Sequence, residues 1–149
     1  MSKHKHIWTK IRMSQQLAQA SPCPRAKVGA MLFQPDTWVT LADGYNGAPR
    51  GGGDLCGGTV CHRDEQKIVS GTRVEVGCHH AEANAICNAA RYGHATKGAW
   101  LVVTRPPCLN CAKLIHHAGI TQVYTTKHDR DSPGCAYLIE HNITVISWE

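Results

Sequence analysis

Two short groups of residues in this 149-residue chain have the types and spacing that chemistry at a metal ion needs. One is His80-Ala81-Glu82. The other, further along, is Pro106-Pro107-Cys108-Leu109-Asn110-Cys111. One imidazole and two thiolates make a tetrahedral zinc site with the fourth position left for water, so His80, Cys108 and Cys111 are the candidate ligands. Zinc brings the pKa of such a water down to ~7, which makes a nucleophile available at neutral pH. Glu82, two residues from the histidine, is the candidate catalytic residue, a carboxylate that moves protons without ligating the metal.

These residues can act together only if the chain positions them. His80 opens a predicted helix that runs to about Tyr92, where Gly93 ends it. Cys108 opens another, which runs to Ala118 and stops at Gly119. Between them Ala99 to Thr104 reads as a short apolar strand, buried on both faces, that sets the two helix starts side by side. Residues two apart diverge on the side of a helix, so His80 and Glu82 converge only on a point beyond the helix N-terminus. Two N-termini aimed at one point favour thiolates there. Taken singly, Cys-x-x-Cys also fits a redox pair, and His-Ala-Glu is a common tripeptide. Their joint placement at two helix starts, with prolines before the first cysteine, favours zinc.

The rest of the chain supplies the frame. Ile7 to Ala20 reads as an amphipathic helix, with Ile7, Ile11, Leu17 and Ala20 at helical spacing, ended by Ser21-Pro22-Cys23-Pro24. Lys27 to Phe33 and Trp38 to Tyr45 read as a hairpin with its turn at Gln34-Pro35-Asp36. Beyond the zinc motifs come a strand from Thr121 to Thr126, a helix from Pro133 to Glu140 and a strand from Ile143 to Ser147. Asn142-Ile143-Thr144 matches a glycosylation sequon and reads simply as strand sequence. This order predicts one α/β domain over residues 1–149, with a mixed central sheet and helices on both faces. Its later strands are expected to be parallel, through right-handed crossovers. From Asn46 to Cys78 the chain is glycine-rich and aperiodic, and so long an irregular stretch needs something other than a core to hold it.

Composition narrows the function classes. No apolar run approaches the ~20 residues of a membrane span. Met1 to Lys10 carries lysines and histidines with no apolar stretch behind them, so it is not a secretory signal, and a cytoplasmic location follows by default. Eight cysteines without a secretory route point to metal more than to disulfides. Cys23, Cys56, Cys61 and Cys78 all precede the first zinc motif, and a metal held by them would also hold the glycine-rich stretch. Cys87 and Cys135 are expected to be buried core thiols, and His4, His6, His116 and His117 to be solvated. The net charge of +5 is scattered, with short concentrations only at Lys3-His4-Lys5-His6 and Arg25-Ala26-Lys27, which disfavours a nucleic-acid binder and leaves room for a small phosphorylated ligand.

The paired H-x-E and P-C-x-x-C motifs are the signature of zinc-dependent base deaminases. Around them the sequence resembles deoxycytidylate (dCMP) deaminases of the bacteriophage and bacterial type. The resemblance runs from about Ser21 to Ile146. It is carried by Cys23, Lys27-Val28-Gly29-Ala30, Gly44-Tyr45-Asn46-Gly47-Ala48-Pro49-Arg50-Gly51, Cys61, Arg63, Ser70-Gly71 and Cys78, and by the stretches His80 to Ile86 and Pro107 to Ile120. It implies a cytidine-deaminase-like three-layer αβα sandwich with a mixed sheet of about five strands. It also implies a Gly/Cys-rich insertion at about 46–79, stabilised by a second, structural zinc on Cys23, Cys56, Cys61 and Cys78, with His62 or His79 able to replace one of them.

The activity implied by the resemblance is hydrolysis of dCMP to dUMP and ammonia, supplying dUMP for thymidylate synthesis. Glu82 would take a proton from water, protonate the ring nitrogen beside the amino-bearing carbon, and pass a proton to the leaving amine. Asn46 would contact the deoxyribose, with Ala81 and His128 as further substrate contacts. Arg25, Lys27, Gly47 and Arg50 are candidates for phosphate or effector contacts. Activation by dCTP, inhibition by dTTP and a homo-oligomer, hexameric or smaller, are also implied. One departure stands out: His128 occupies the place where many relatives have tyrosine. A histidine grips phosphate best when protonated, or else the change marks a different substrate. The rivals are a zinc deaminase of another base, nucleoside or modified nucleotide, and a non-catalytic zinc-stabilised nucleic-acid-binding module. In the second rival Glu82 would have no task.

Overall fold

The structure, a computed structural model, describes residues 2–47, 60–72, 74, 76–127 and 132–148. In chain order the elements are α1 (Ser2–Ala18), β1 (Gly29–Phe33), β2 (Thr40–Tyr45), α2 (His62–Glu65), α3 (Ala81–Arg91), β3 (Trp100–Val103), α4 (Leu109–His117), β4 (Gln122–Thr125), α5 (Pro133–Glu140) and β5 (Thr144–Ser147). The strands form one sheet in the order β2-β1-β3-β4-β5. β1 pairs antiparallel with both β2 and β3, and β3, β4 and β5 run parallel. The sheet is therefore mixed, as the element order predicts, and its parallel half is joined through α4 and α5.

Alternation along the strands divides the core into two layers. Ala30, Leu32, Leu101, Val103 and Val123 face α3, α4 and α5, where they meet Ala81, Ala85, Ala89, Ala112, Ile115 and Leu138. Phe33, Val102 and Tyr124 face the other way and pack with Ile11 of α1. β1 is buried along its whole length because it lies between two strands and between two helical layers. Gly93 and Gly119 follow α3 and α4 with φ of 78° and 80°, the left-handed turn that glycine makes without a Cβ clash.

Several boundaries differ from the sequence reading. α1 begins at Ser2 rather than Ile7, and its early turns are anchored where His6 stacks on Trp38 with ring centroids 4.9 Å apart. It ends at Ala18, and Gln19, Ala20 and Ser21 each donate to the carbonyl three residues back, a tightened last turn before Pro22. The second hairpin strand starts at Thr40 rather than Trp38. Trp38 has a left-handed φ of 61° and donates its amide to Gln34 O, so it belongs to the loop and sends its ring into the aromatic layer. Cys87 is exposed, not buried: Ala81, Ala85 and Ala89 form the inward stripe of α3, and a residue two positions from that stripe lies on the outer side. Cys135 is buried as expected. Within the glycine-rich stretch, α2 is a short helix absent from the sequence reading. Arg63 ties this region together by donating to Val76 O at 3.1 Å and Thr72 O at 2.7 Å.

Candidate active site

His80 and Cys108 are the N-caps of α3 and α4, both with extended backbones, so each helix begins where its ligand side chain leaves the chain. His80 Nδ1 lies 3.5 Å from Cys108 Sγ and 3.4 Å from Cys111 Sγ. Tetrahedral zinc, with bonds of ~2.3 Å to sulfur and ~2.0–2.1 Å to nitrogen, sets nitrogen and sulfur ligands roughly 3.6 Å apart. The donor atoms thus already stand at the separation the ion requires, and thiolate with imidazole is a donor set that suits zinc. Among the described residues this is the one group of three metal-capable side chains whose ligand atoms all lie within 4.8 Å of one another. His80 and Cys108 are exposed while Cys111 is buried, so the cluster faces solvent on one side, as a site with an exchangeable position must.

The surroundings prepare thiolate and proton carrier before any metal arrives. Cys108 Sγ accepts the Cys111 amide at 3.5 Å, so the sulfur caps its own helix. Its thiol is lowered to about 4, first by the hydrogen bond from the Cys111 side chain and then, against burial, by that from His80. Cys111 keeps its proton far above the ordinary thiol range because that proton is shared with the Cys108 sulfur and because the group is buried. The His80 ring is raised by its hydrogen bond to Cys108. Glu82 is only 4% exposed, and burial raises its carboxyl above the ordinary carboxylate range. Such a shift moves a carboxyl toward the pH at which it both takes and gives protons readily.

Both helix starts are fixed by contacts with backbone. On α3, Asn84 Nδ2 donates to Tyr45 O and Asn88 Nδ2 to Asp43 O, each at 2.8 Å, which locks the helix in register on edge strand β2. Between those bonds sits Gly44, where a Cβ would come 2.5 Å from Ala85 N and 2.6 Å from Ala81 O. On α4, the buried Pro107 precedes the Cys108 cap. The first turn of α5 rests on it at Gly134, where a Cβ would stand 1.9 Å from Pro107 O. Asn84, Asn88, Gly44 and Gly134 were not singled out as site residues by sequence. Gly44 and Asn84 fall within the resembling stretches and Asn88 lies on the same helix, but nothing local marks the two asparagines as reaching β2 or the two glycines as lying against a zinc-motif helix.

The other candidate residues are placed as follows. Ala81 is fully buried, its side chain in the core and its amide at the first helical position, where the helix itself offers no partner. Asn46 is 6% exposed, with its side chain bonded to Val28 N and Ala26 O. Gly47 forms a two-way bridge with His79, each amide donating to the other's carbonyl at 3.0 Å. Arg25 faces Asp64 at 3.8 Å across a partly exposed gap, and Lys27 donates to Ser21 O. Cys23, Cys61 and Cys78 pack together as a small cluster apart from the first group, with Cys23 and Cys61 buried. Cys56, Arg50 and His128 lie outside the described residues. Of the histidines expected to be solvated, His6 is half-buried against Trp38, and His116 hydrogen-bonds the Tyr137 hydroxyl at 2.8 Å. No helix among the described residues is long and apolar enough to cross a membrane.

Comparison with known proteins converges on one family. The family model described as the cytidine and deoxycytidylate deaminase zinc-binding region matches residues 2–127. The deoxycytidylate deaminase of Mycobacterium phage D29 is 39% identical over 116 residues, which cover 74% of this chain and 85% of that protein. ComE operon protein 2 of Bacillus subtilis is 35% identical over 138 residues, covering 89% of this chain and 66% of that longer protein. The crystal structure of the dCMP deaminase from cyanophage S-TIM5, in complex with dCMP and dUMP, superposes with a TM-score of 0.77 at 27% identity, covering 96% of each chain.

Proposed function

This chain belongs to the cytidine and deoxycytidylate deaminase family, and from that premise we propose that it is a zinc hydrolase converting dCMP to dUMP and ammonia. The observation that carries the reading is the convergence of His80 Nδ1, Cys108 Sγ and Cys111 Sγ at two helix starts, with Glu82 buried beside them. Zinc held there supplies Lewis acidity and a water acidic enough to attack at neutral pH. Glu82 takes a proton from the attacking water and delivers it to the ring nitrogen next to the amino-bearing carbon. It then takes the remaining proton of the added hydroxyl, which becomes the carbonyl, and carries it to the departing amine. Its raised carboxyl suits this two-way traffic. In a zinc-stabilised module without turnover, burying this carboxyl would be a cost with no return.

Substrate is held by the loops around the zinc. Asn46 keeps a lone pair on Oδ1 beyond its bond from Val28, enough to accept from a deoxyribose hydroxyl. The Ala81 amide faces the base, and His128 and Arg50 contact the phosphate. Arg25, Lys27 and Gly47 are candidates for phosphate or effector contacts, with Arg25 also facing Asp64, Lys27 donating to Ser21 O and Gly47 bridged to His79. A second zinc on Cys23, Cys56, Cys61 and Cys78 holds the insertion at 46–79 to the single domain. The enzyme works in the cytoplasm as a homo-oligomer, hexameric or smaller, activated by dCTP and inhibited by dTTP.

The test is ammonia release from cytosine, deoxycytidine, dCMP and dCTP, each with and without dCTP or dTTP as effector. Turnover of dCMP above the other three is expected. Preference for a free base or nucleoside would replace this reading with another deaminase. Metal analysis should return two zinc ions per chain for wild type and one for Cys56→Ser, and a single ion per chain in both would remove the second site.

A further inference from the structure

Asn46 is tied down on every side. Its amide donates to Val28 O at 3.2 Å, and its carbonyl accepts from Ser21 Oγ at 2.7 Å. Its side-chain oxygen accepts from Val28 N at 2.8 Å, while Nδ2 donates to Ala26 O at 2.8 Å and lies 3.9 Å from Cys78 Sγ. Ser21 Oγ in turn accepts from Cys23 N at 3.2 Å. One residue therefore joins the end of β2, the segment that leads into β1 and two members of the second cysteine cluster. The next residue, Gly47, bridges His79. His79 directly precedes metal ligand His80 in sequence. A sugar contact at this end of β2 would use only the spare lone pair on Asn46 Oδ1, yet the rest of the residue is bonded to protein.

We propose that Asn46 is a positioning residue for the zinc site: through the Gly47–His79 bridge it fixes the chain entering α3 and so aims the His80 ring at Cys108 and Cys111, in the absence of any substrate. α3 holds His80 from the other side, where Asn84 N donates to His80 O at 3.0 Å. The ligand thus sits between two anchored segments, and releasing either one lets its ring swing. This rests on the zinc-hydrolase reading of the site and adds to Asn46 a task that precedes substrate binding. Groups that orient a ligand from outside the coordination sphere typically affect metal affinity by roughly 10- to 100-fold when removed.

The experiment compares wild type, Asn46→Ala and Ser21→Ala without nucleotide. It measures the visible absorption of the Co(II)-loaded protein and the rate at which zinc passes to a chromogenic chelator. Subtracting the spectrum of His80→Ala isolates the mixed nitrogen–sulfur site from any all-thiolate site. Asn46→Ala is expected to change the isolated bands and speed zinc release at least tenfold, at temperatures well below its unfolding transition, and to lower kcat as well as raise KM for dCMP. Ser21→Ala, which loses the bond to Asn46 O and the one from Cys23 N but leaves the Asn46 side-chain bonds in place, should move the same readings in the same direction by less, and it serves as the test if Asn46→Ala does not fold. Unchanged bands and release rate in both variants, with an effect confined to KM, would reduce Asn46 to a sugar contact and overturn the proposal. If wild type itself lacks the nitrogen–sulfur bands, the zinc-site reading falls, and this proposal with it.

Discussion

The two faces of the sheet are filled by different means. On the face that carries the zinc motifs, the helices meet the strands through small residues: Ala81, Ala85 and Ala89 on α3, Ala112 on α4, and Gly44 and Gly134 where backbone lies directly on backbone. On the opposite face the space is taken by bulk, with Phe33, Trp38, Trp100 and Tyr124 stacked and edge-on at centroid separations from 5.7 to 6.2 Å. Small side chains bring main chains close and leave them little freedom, which suits ligands that must hold a separation to tenths of an ångström. Aromatic rings bury large areas and tolerate small shifts. The molecule places close backbone contacts on one face and its stacked aromatic rings on the other.

The largest expected effect lies at the residue that pits the two aims against each other. Glu82→Gln should retain zinc and lower kcat by roughly 10²- to 10⁴-fold, the worth of a general acid–base group. The same change should raise the unfolding temperature of the metal-free protein at neutral pH. Burial lifts the folded-state carboxyl above its unfolded value, so between those two values the native chain binds more protons than the unfolded one, and stability falls as pH rises through that window. Glutamine has no proton to lose, so this contribution is absent from the variant and the difference between the two proteins isolates it. Thermal melts of both metal-free proteins at pH 4 and pH 7 would check this; a wild type that gains stability relative to Glu82→Gln as pH rises would contradict it.

A crossed pair of substitutions separates the two faces. Gly134→Ala forces a Cβ against Pro107 O, next to ligand Cys108. Overpacking of this kind costs about 1–3 kcal/mol, and displacing catalytic geometry by ~1 Å can cost on the order of 10² in rate. Phe33→Leu, at the fully buried ring of the aromatic layer, should cost a similar ~1 kcal/mol and lower the melting temperature by roughly 2–4 °C. It should leave zinc release and kcat unchanged. If both variants lose activity in proportion to their lost stability, the two faces are not specialised and the contrast fails.

What could be read from sequence follows the same division. His80 and Cys108 are identifiable as helix starts because prolines, glycines and spacing are local signals, and the mixed sheet with parallel later strands follows from the order of elements. The contacts that fix those starts were not. An asparagine reaching a strand carbonyl, as Asn84 and Asn88 do, looks in sequence like any polar helix residue. Ser132-Pro133-Gly134 reads as an ordinary helix start and says nothing of Pro107 beneath it. Trp38 looked like strand because its ring is apolar, but its backbone turns left-handed to deliver that ring. α3 misled for a related reason. Alanine fits either side of a helix, so Ala83, Ala85, Ala89 and Ala90 blur the inward stripe and left the facing of Cys87 open to error.

That error supplies the mildest prediction. Cys87 lies on the outer side of the α3 stripe, whereas Cys135 sits 1% exposed on α5, where burial holds its thiol above the ordinary range. A thiol reagent applied to the zinc-loaded protein should modify Cys87 within the first phase of reaction and spare Cys135 until the chain unfolds. Cys87→Ser should change stability by no more than ~0.5 kcal/mol, the usual range for a surface site without special contacts. Cys135→Ser replaces a buried thiol with a hydroxyl, and a buried hydroxyl without a full set of partners costs about 1–3 kcal/mol. Neither side chain is among the converging ligands, so both variants should keep their catalytic zinc. Equal protection of the two thiols would mean that the outer side of α3 is covered in solution. A homo-oligomer in which a second copy packs on that helix would produce this protection, and dilution below its dissociation constant should then restore the reactivity of Cys87 alone.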